Sequence, residues 1–165
     1  MGLSRLGLAM LVLLANGCRE SSSSPSPPSD LDAKLFALSD DVRIPLAPEV
    51  PVAEEVAGEW DRLRRQARLR VGALQGPAAV AALNRFIFEE SGFAREVEDP
   101  SLRFMLMPWV IRNRKGSCLG LAGLYLLLAE DLKLPVSGVL VPGHFFLRHG
   151  QSNIELLRQG EAMAE

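Results

Sequence analysis

Cys118, His144 and Glu155 are the side chains whose types and order point to chemistry. A cysteine thiolate is a strong nucleophile, and it needs a base to take its proton and an acceptor to orient that base. Gly116-Ser117 breaks the chain just before Cys118, and Ser117 is a good helix N-cap. Cys118 is therefore expected in the first turn of a helix, where free backbone N–H groups and the helix dipole favour a thiolate. Arg114 and Lys115, just upstream, are expected to add to that effect. Trp109 and Asn113 lie near enough in sequence to donate to an oxyanion, although core packing and helix capping explain them as well.

His144 and Glu155 fall in a region of strand period. Val136 to Val141, His144 to Arg148 and Asn153 to Arg158 read as three strands, separated by Pro142-Gly143 and by Gly150 to Ser152. Phe145/Leu147 and Ile154/Leu156 form the more apolar face of their strands and should point into one core. His144 and Glu155 then share the other face. They lie directly opposite if paired residue numbers sum to 299, and diagonally if they sum to 301. Either arrangement lets the carboxylate hold one imidazole nitrogen while the other faces Cys118. By the same parity His149 points to the opposite face, which makes His144 the better base.

The elements that must position these groups come earlier. Leu31 to Leu38 can form a short helix, after which Pro45, Pro48 and Pro51 interrupt the chain. Val52, Val56, Trp60, Leu63, Ala67, Val71 and Leu74 recur at helical spacing and make one apolar stripe. The arginines of that helix, Arg62, Arg64, Arg65, Arg68 and Arg70, read as a solvated face, with a phosphate-binding patch as the sharper alternative. A second clear helix begins at Pro77 and ends before Gly92, and a short one runs from Trp109 to Arg114. The helix carrying Cys118 is apolar nearly all round and should be buried, with Gly120 and Gly123 allowing close approach of a neighbour. Helices first and strands last give an α+β class with a small antiparallel sheet.

Composition bounds the rest. The chain has 165 residues, 48% hydrophobic and 23% charged, which is one domain with a real core. A net charge of -2 argues against a nucleic-acid partner. Two cysteines exclude a disulfide scaffold, and two histidines leave little for an all-protein metal cage; a Cys/His/Glu metal site would offer only one ligand of each type, and no cofactor or metal is expected. Residues 1–17 read as a signal: Arg5 followed by the apolar run Leu6 to Ala15, too short to span a bilayer. Small residues before Cys18 resemble the lipobox of bacterial lipoproteins, with Ala15 where Leu is usual. Residues 18–30, rich in Ser and Pro, read as a tether behind an acylated Cys18, and residues 31–165 as the folded domain. The expected place is extracytoplasmic, on a bacterial membrane and facing the periplasm.

The region from Leu83 to Glu155 resembles the transglutaminase-like superfamily, in particular its SirB-type bacterial group. The resemblance is carried by Leu83-Asn-Arg-Phe-Ile-Phe-Glu-Glu, Arg114-Lys-Gly-Ser-Cys-Leu-Gly-Leu, Leu124-Tyr-Leu-Leu-Leu-Ala-Glu-Asp-Leu-Lys-Leu-Pro, Gly138-Val-Leu-Val-Pro-Gly-His-Phe-Phe-Leu-Arg and Asn153-Ile-Glu. It covers roughly residues 80–160 and implies a fold related to papain-like cysteine peptidases. By position Cys118 matches the nucleophile and His144 the base; Glu155 stands where the wider superfamily usually has Asp. The implied activity is thiol acyl transfer on a peptide or protein. The alternative is a non-catalytic envelope module that binds a partner in the same cleft. SirB-type chains often continue with further helices, so this chain can be a C-terminally truncated or minimal version.

Overall fold

The computed structural model describes residues 30–142 and 144–156, and the backbone of 161–163. Cys18 and residues 1–29 of the expected signal and tether lie outside the described residues, whereas Asp30, expected to end the tether, begins α1. No described helix is long and apolar enough to cross a membrane.

Among the described residues, five α-helices precede a four-stranded antiparallel sheet. They are α1 (Asp30–Leu46), α2 (Ala53–Val71), α3 (Gly76–Asn84), α4 (Met107–Asn113) and α5 (Cys118–Asp131). A π-helical segment, Arg85–Glu90, continues α3, and a 3-10 turn, Leu102–Met105, leads into α4. A two-residue parallel ladder pairs β1 (Ala94–Arg95) with β2 (Lys115–Gly116). The sheet runs in sequence order: β3 (Val136–Val141), β4 (His144–His149), β5 (Ser152–Glu155) and β6 (Glu161–Met163). The α+β class and the helices-then-strands order are as the sequence implies.

The core forms where the apolar stripe of α2 meets α5. Val56, Trp60, Leu63, Ala67 and Val71 of α2 are buried with Leu121, Leu124, Tyr125, Leu127 and Leu128 of α5. Leu147, Ile154 and Leu156 close the core from the sheet. The apolar face assigned to β4 and β5 is thus the inward one.

Four local expectations are corrected. The first helix does not stop at Leu38 but runs to Leu46, with Pro45 in its final turn. The arginines of α2 are not all a solvated face. Arg64 is buried, and Arg64 and Arg68 together grip the Asp131 carboxylate: Arg64 Nε donates to Oδ1 at 2.9 Å and Arg68 Nε to Oδ2 at 2.7 Å. This clamp fixes the C-terminal end of α5 to α2. The helix begun at Pro77 does end before Gly92, but its last six residues, Arg85–Glu90, take π rather than α turns. The third strand is Ser152–Glu155 rather than Asn153 to Arg158, and β6 pairs beyond it.

Candidate functional site

Cys118 is the first residue of α5. Ser117 caps the helix as expected, its hydroxyl accepting from the Gly120 N–H at 3.2 Å. The Ser117 carbonyl accepts from Leu121 N–H at 2.9 Å. The N–H groups of Cys118 and Leu119 have no intrahelical acceptor, so they remain at the open end of the dipole. The entry to the helix is pinned. Ser117 N–H donates to the Phe104 carbonyl at 2.8 Å, and Gly120 packs so closely on that carbonyl that a Cβ would overlap the oxygen. Gly123 sits against Met107, whose Cε would be 3.1 Å from an added Cβ. Both glycines therefore permit the close approach that their positions imply. Cys118 itself is half-buried and a free thiol.

The base and its orienter come together on the hairpin. His144 Nε2 lies 2.7 Å from Glu155 Oε2. The β4–β5 register pairs Leu147 with Ile154 and Arg148 with Asn153, so partner numbers sum to 301 and the two residues are diagonal neighbours. Their side chains are 33% and 14% exposed, sheltered enough for the pair to matter and open enough to meet a ligand. With the carboxylate ionised, Nε2 carries the proton and donates, which leaves Nδ1 as the basic nitrogen. Phe146, on the same face, stacks on the imidazole with centroids 5.8 Å apart at 27°. Arg148 lies over Phe146 at 5.6 Å and is held by Asn153 Oδ1 at 2.8 Å from its Nε. This ladder of side chains limits ring rotation. The alternation of the strand places these residues on one face; the stacking depends on rotamers that no residue pattern reports.

The α5 helix packs against β3 and β4, so the fold joins the cysteine element to the histidine element. Among the described residues no hydrogen bond links Cys118 to His144. The two cations expected to sharpen the thiolate are engaged elsewhere. Lys115 Nζ lies 3.5 Å from Glu96 Oε2, and the Arg114 guanidinium is 4.7 Å from the centre of the Phe93 ring. Asn113 Nδ2 donates to the Trp109 carbonyl at 3.1 Å, a cap on α4. Trp109 packs edge-on against Phe104.

Residues 54–163, two-thirds of the chain, match a family model described as transglutaminase-like superfamily. The chain belongs to the transglutaminase-like superfamily. The match begins at α2, well upstream of the motifs at residues 83–155, and so takes in the helix that clamps α5. Two UPF0162 proteins of Xylella fastidiosa, strains Temecula1 and 9a5c, are each 35% identical over 75 residues, covering 44% of this chain and 26% of theirs. A UPF0162 protein of Pseudomonas aeruginosa is 37% identical over 98 residues, 58% of this chain and 36% of its own length. The chain thus matches only about a quarter to a third of the length of these curated relatives. No solved structure matches it significantly.

Proposed function

We propose that this chain is a cysteine-dependent acyl-transfer enzyme, with Cys118 as nucleophile, His144 as base and Glu155 as the group that orients the base. The observation that carries the reading is the His144–Glu155 pair at 2.7 Å, on a hairpin packed against the helix that begins with Cys118, in a chain of this superfamily. His144 Nδ1 takes the thiol proton as Sγ attacks an amide or ester carbonyl. The N–H of Cys118 stabilises the oxyanion. The imidazolium returns its proton to the leaving amine or alcohol, and a thioester remains on Cys118. Water or an amine then attacks the thioester, giving a hydrolase or a transferase. The approach of thiol and imidazole is completed on substrate binding, as apo catalytic contacts commonly are.

The substrate is proposed to be a peptide or protein, and the chain to be of SirB type. The lipobox-like sequence before Cys18 supports an extracytoplasmic lipoprotein, which would bring envelope peptides within reach. The test is to expose the full chain to p-nitrophenyl acetate and locate the acyl adduct by peptide mass spectrometry. An acetyl group on Cys118, formed at least about a hundredfold more slowly in His144→Ala, is expected. Acylation spread over surface lysines with Cys118 unmodified would favour the binding-module alternative.

A further inference from the structure

A cleft that Cys118 does not line lies between α2 and the π-helical segment. Leu63, Gln66 and Arg70 fall at three- and four-residue spacing on one face of α2 and form one wall of a cleft of about 270 Å³. Phe86, Glu90 and Ser91 form the facing wall, and Arg114 enters from the turn after α4. Leu63 and Phe86 lie buried at its base and show little surface to it. Its rim is polar and carries two guanidinium groups against one carboxylate.

Arg114 is the unusual member. Its backbone is left-handed, at φ 56°, and its carbonyl accepts from the Ala94 N–H at 2.9 Å, so the side chain leaves a fixed point of the chain. The guanidinium stacks on Phe93, yet its Nη1 is buried with no hydrogen-bond partner among the described residues. Burying a cationic donor without an acceptor is costly, and the cost falls when an anion supplies one. Burial also pulls its pKa below the ordinary arginine range, with Glu59 opposing and Arg62 reinforcing that effect. Arg70 Nε donates to Glu90 Oε2 at 2.5 Å, so one rim cation is already matched and Arg114 supplies the excess charge. The side chains of Gln66 and Ser91 make no hydrogen bond among the described residues and add polar groups to the rim. The cleft wall is π-helical, a wide-turn geometry that recurs at functional sites.

We propose that this cleft binds a small organic anion, its carboxylate or phosphate group held by Arg114 with Arg70, Gln66 and Ser91. The site is independent of the thiol, and its existence does not require Cys118 to be a nucleophile.

Calorimetric titration of the full chain with benzoate, phenyl phosphate and neutral benzamide tests this. The two anions separate a carboxylate ligand from a phosphate one. Saturable binding of at least one anion, with benzamide at least about tenfold weaker, is expected. Arg114→Gln and Gln66→Glu should each weaken that anion at least about tenfold, while exposed Arg65→Gln, outside the cleft, leaves it unchanged. If Arg114→Gln does not fold, Gln66→Glu decides. Absence of saturable binding by either anion, benzamide binding equally well, or binding indifferent to Gln66→Glu would overturn the proposal. Cys118→Ala must leave the titration unaltered, so a failure here and a failure of the acyl-transfer reading are separate results.

Discussion

At the scale of single residues, position in the fold decides what a functional group does. Tyr125 is the chain's single tyrosine, wholly buried in α5, with its hydroxyl donating to Asn84 Oδ1 at 2.8 Å. Burial pushes its phenol well above the ordinary value of 10.0. A raised folded pKa means that the neutral phenol's contribution to stability is complete below pH 10.0 and is lost as pH rises through the folded value. Titration followed by tyrosinate absorbance should therefore show little ionisation of the native chain at about pH 11, and ionisation near 10 in denaturant. A native curve matching the denatured one would refute the buried phenol. The His144–Glu155 pair is legible in the residue pattern, because strand period two and a shared apolar face leave those two residues on the same side. The roles of Arg64 and Arg68 are not. Their partner, Asp131, lies on another helix, and no local charge pattern reports a contact of that separation.

At the scale of elements, α5 carries the site and is held at both ends. Asp131 is bound by two arginines of α2 at one end, and Gly120 packs on the Phe104 carbonyl at the other. Gly120→Ala should gain about 1 kcal/mol of helix propensity but force Cβ into that oxygen. A net loss of about 2 kcal/mol is expected, seen as a fall in Tm of about 5 °C. Gly58→Ala, mid-helix in α2 with nothing within 4 Å of the added Cβ, should instead raise Tm by a few degrees. Equal effects of the two substitutions in a melting experiment would contradict the packing described. α2 is visible in the sequence by its periodic apolar stripe, and α5 by its Ser117 cap and the continuous apolar run that follows. The extension of α1 through Pro45 is concealed, since a proline in a last turn removes only one late hydrogen bond. The β1–β2 ladder is concealed as well, its two-residue strands being too short to show any period.

At the scale of the whole molecule, the candidate site exists only when the chain is folded. Cys118 belongs to a helix set by α2 and the 3-10 turn, and His144 and Glu155 to a hairpin whose inner face is buried against that helix. The individual motifs are visible in the sequence, whereas the packing of the elements that carry them runs from α2 to β5. Family membership over residues 54–163 spans the same elements. The most direct measurement is the rate of iodoacetamide labelling at Cys118 at neutral pH, read by mass spectrometry of its peptide, in the native chain, in His144→Ala and in denaturant. If the folded protein brings imidazole to thiol, the native chain labels at Cys118 at least about tenfold faster than His144→Ala or the chain in denaturant. Native labelling no faster than in denaturant, and unchanged by loss of His144, would contradict the acyl-transfer reading.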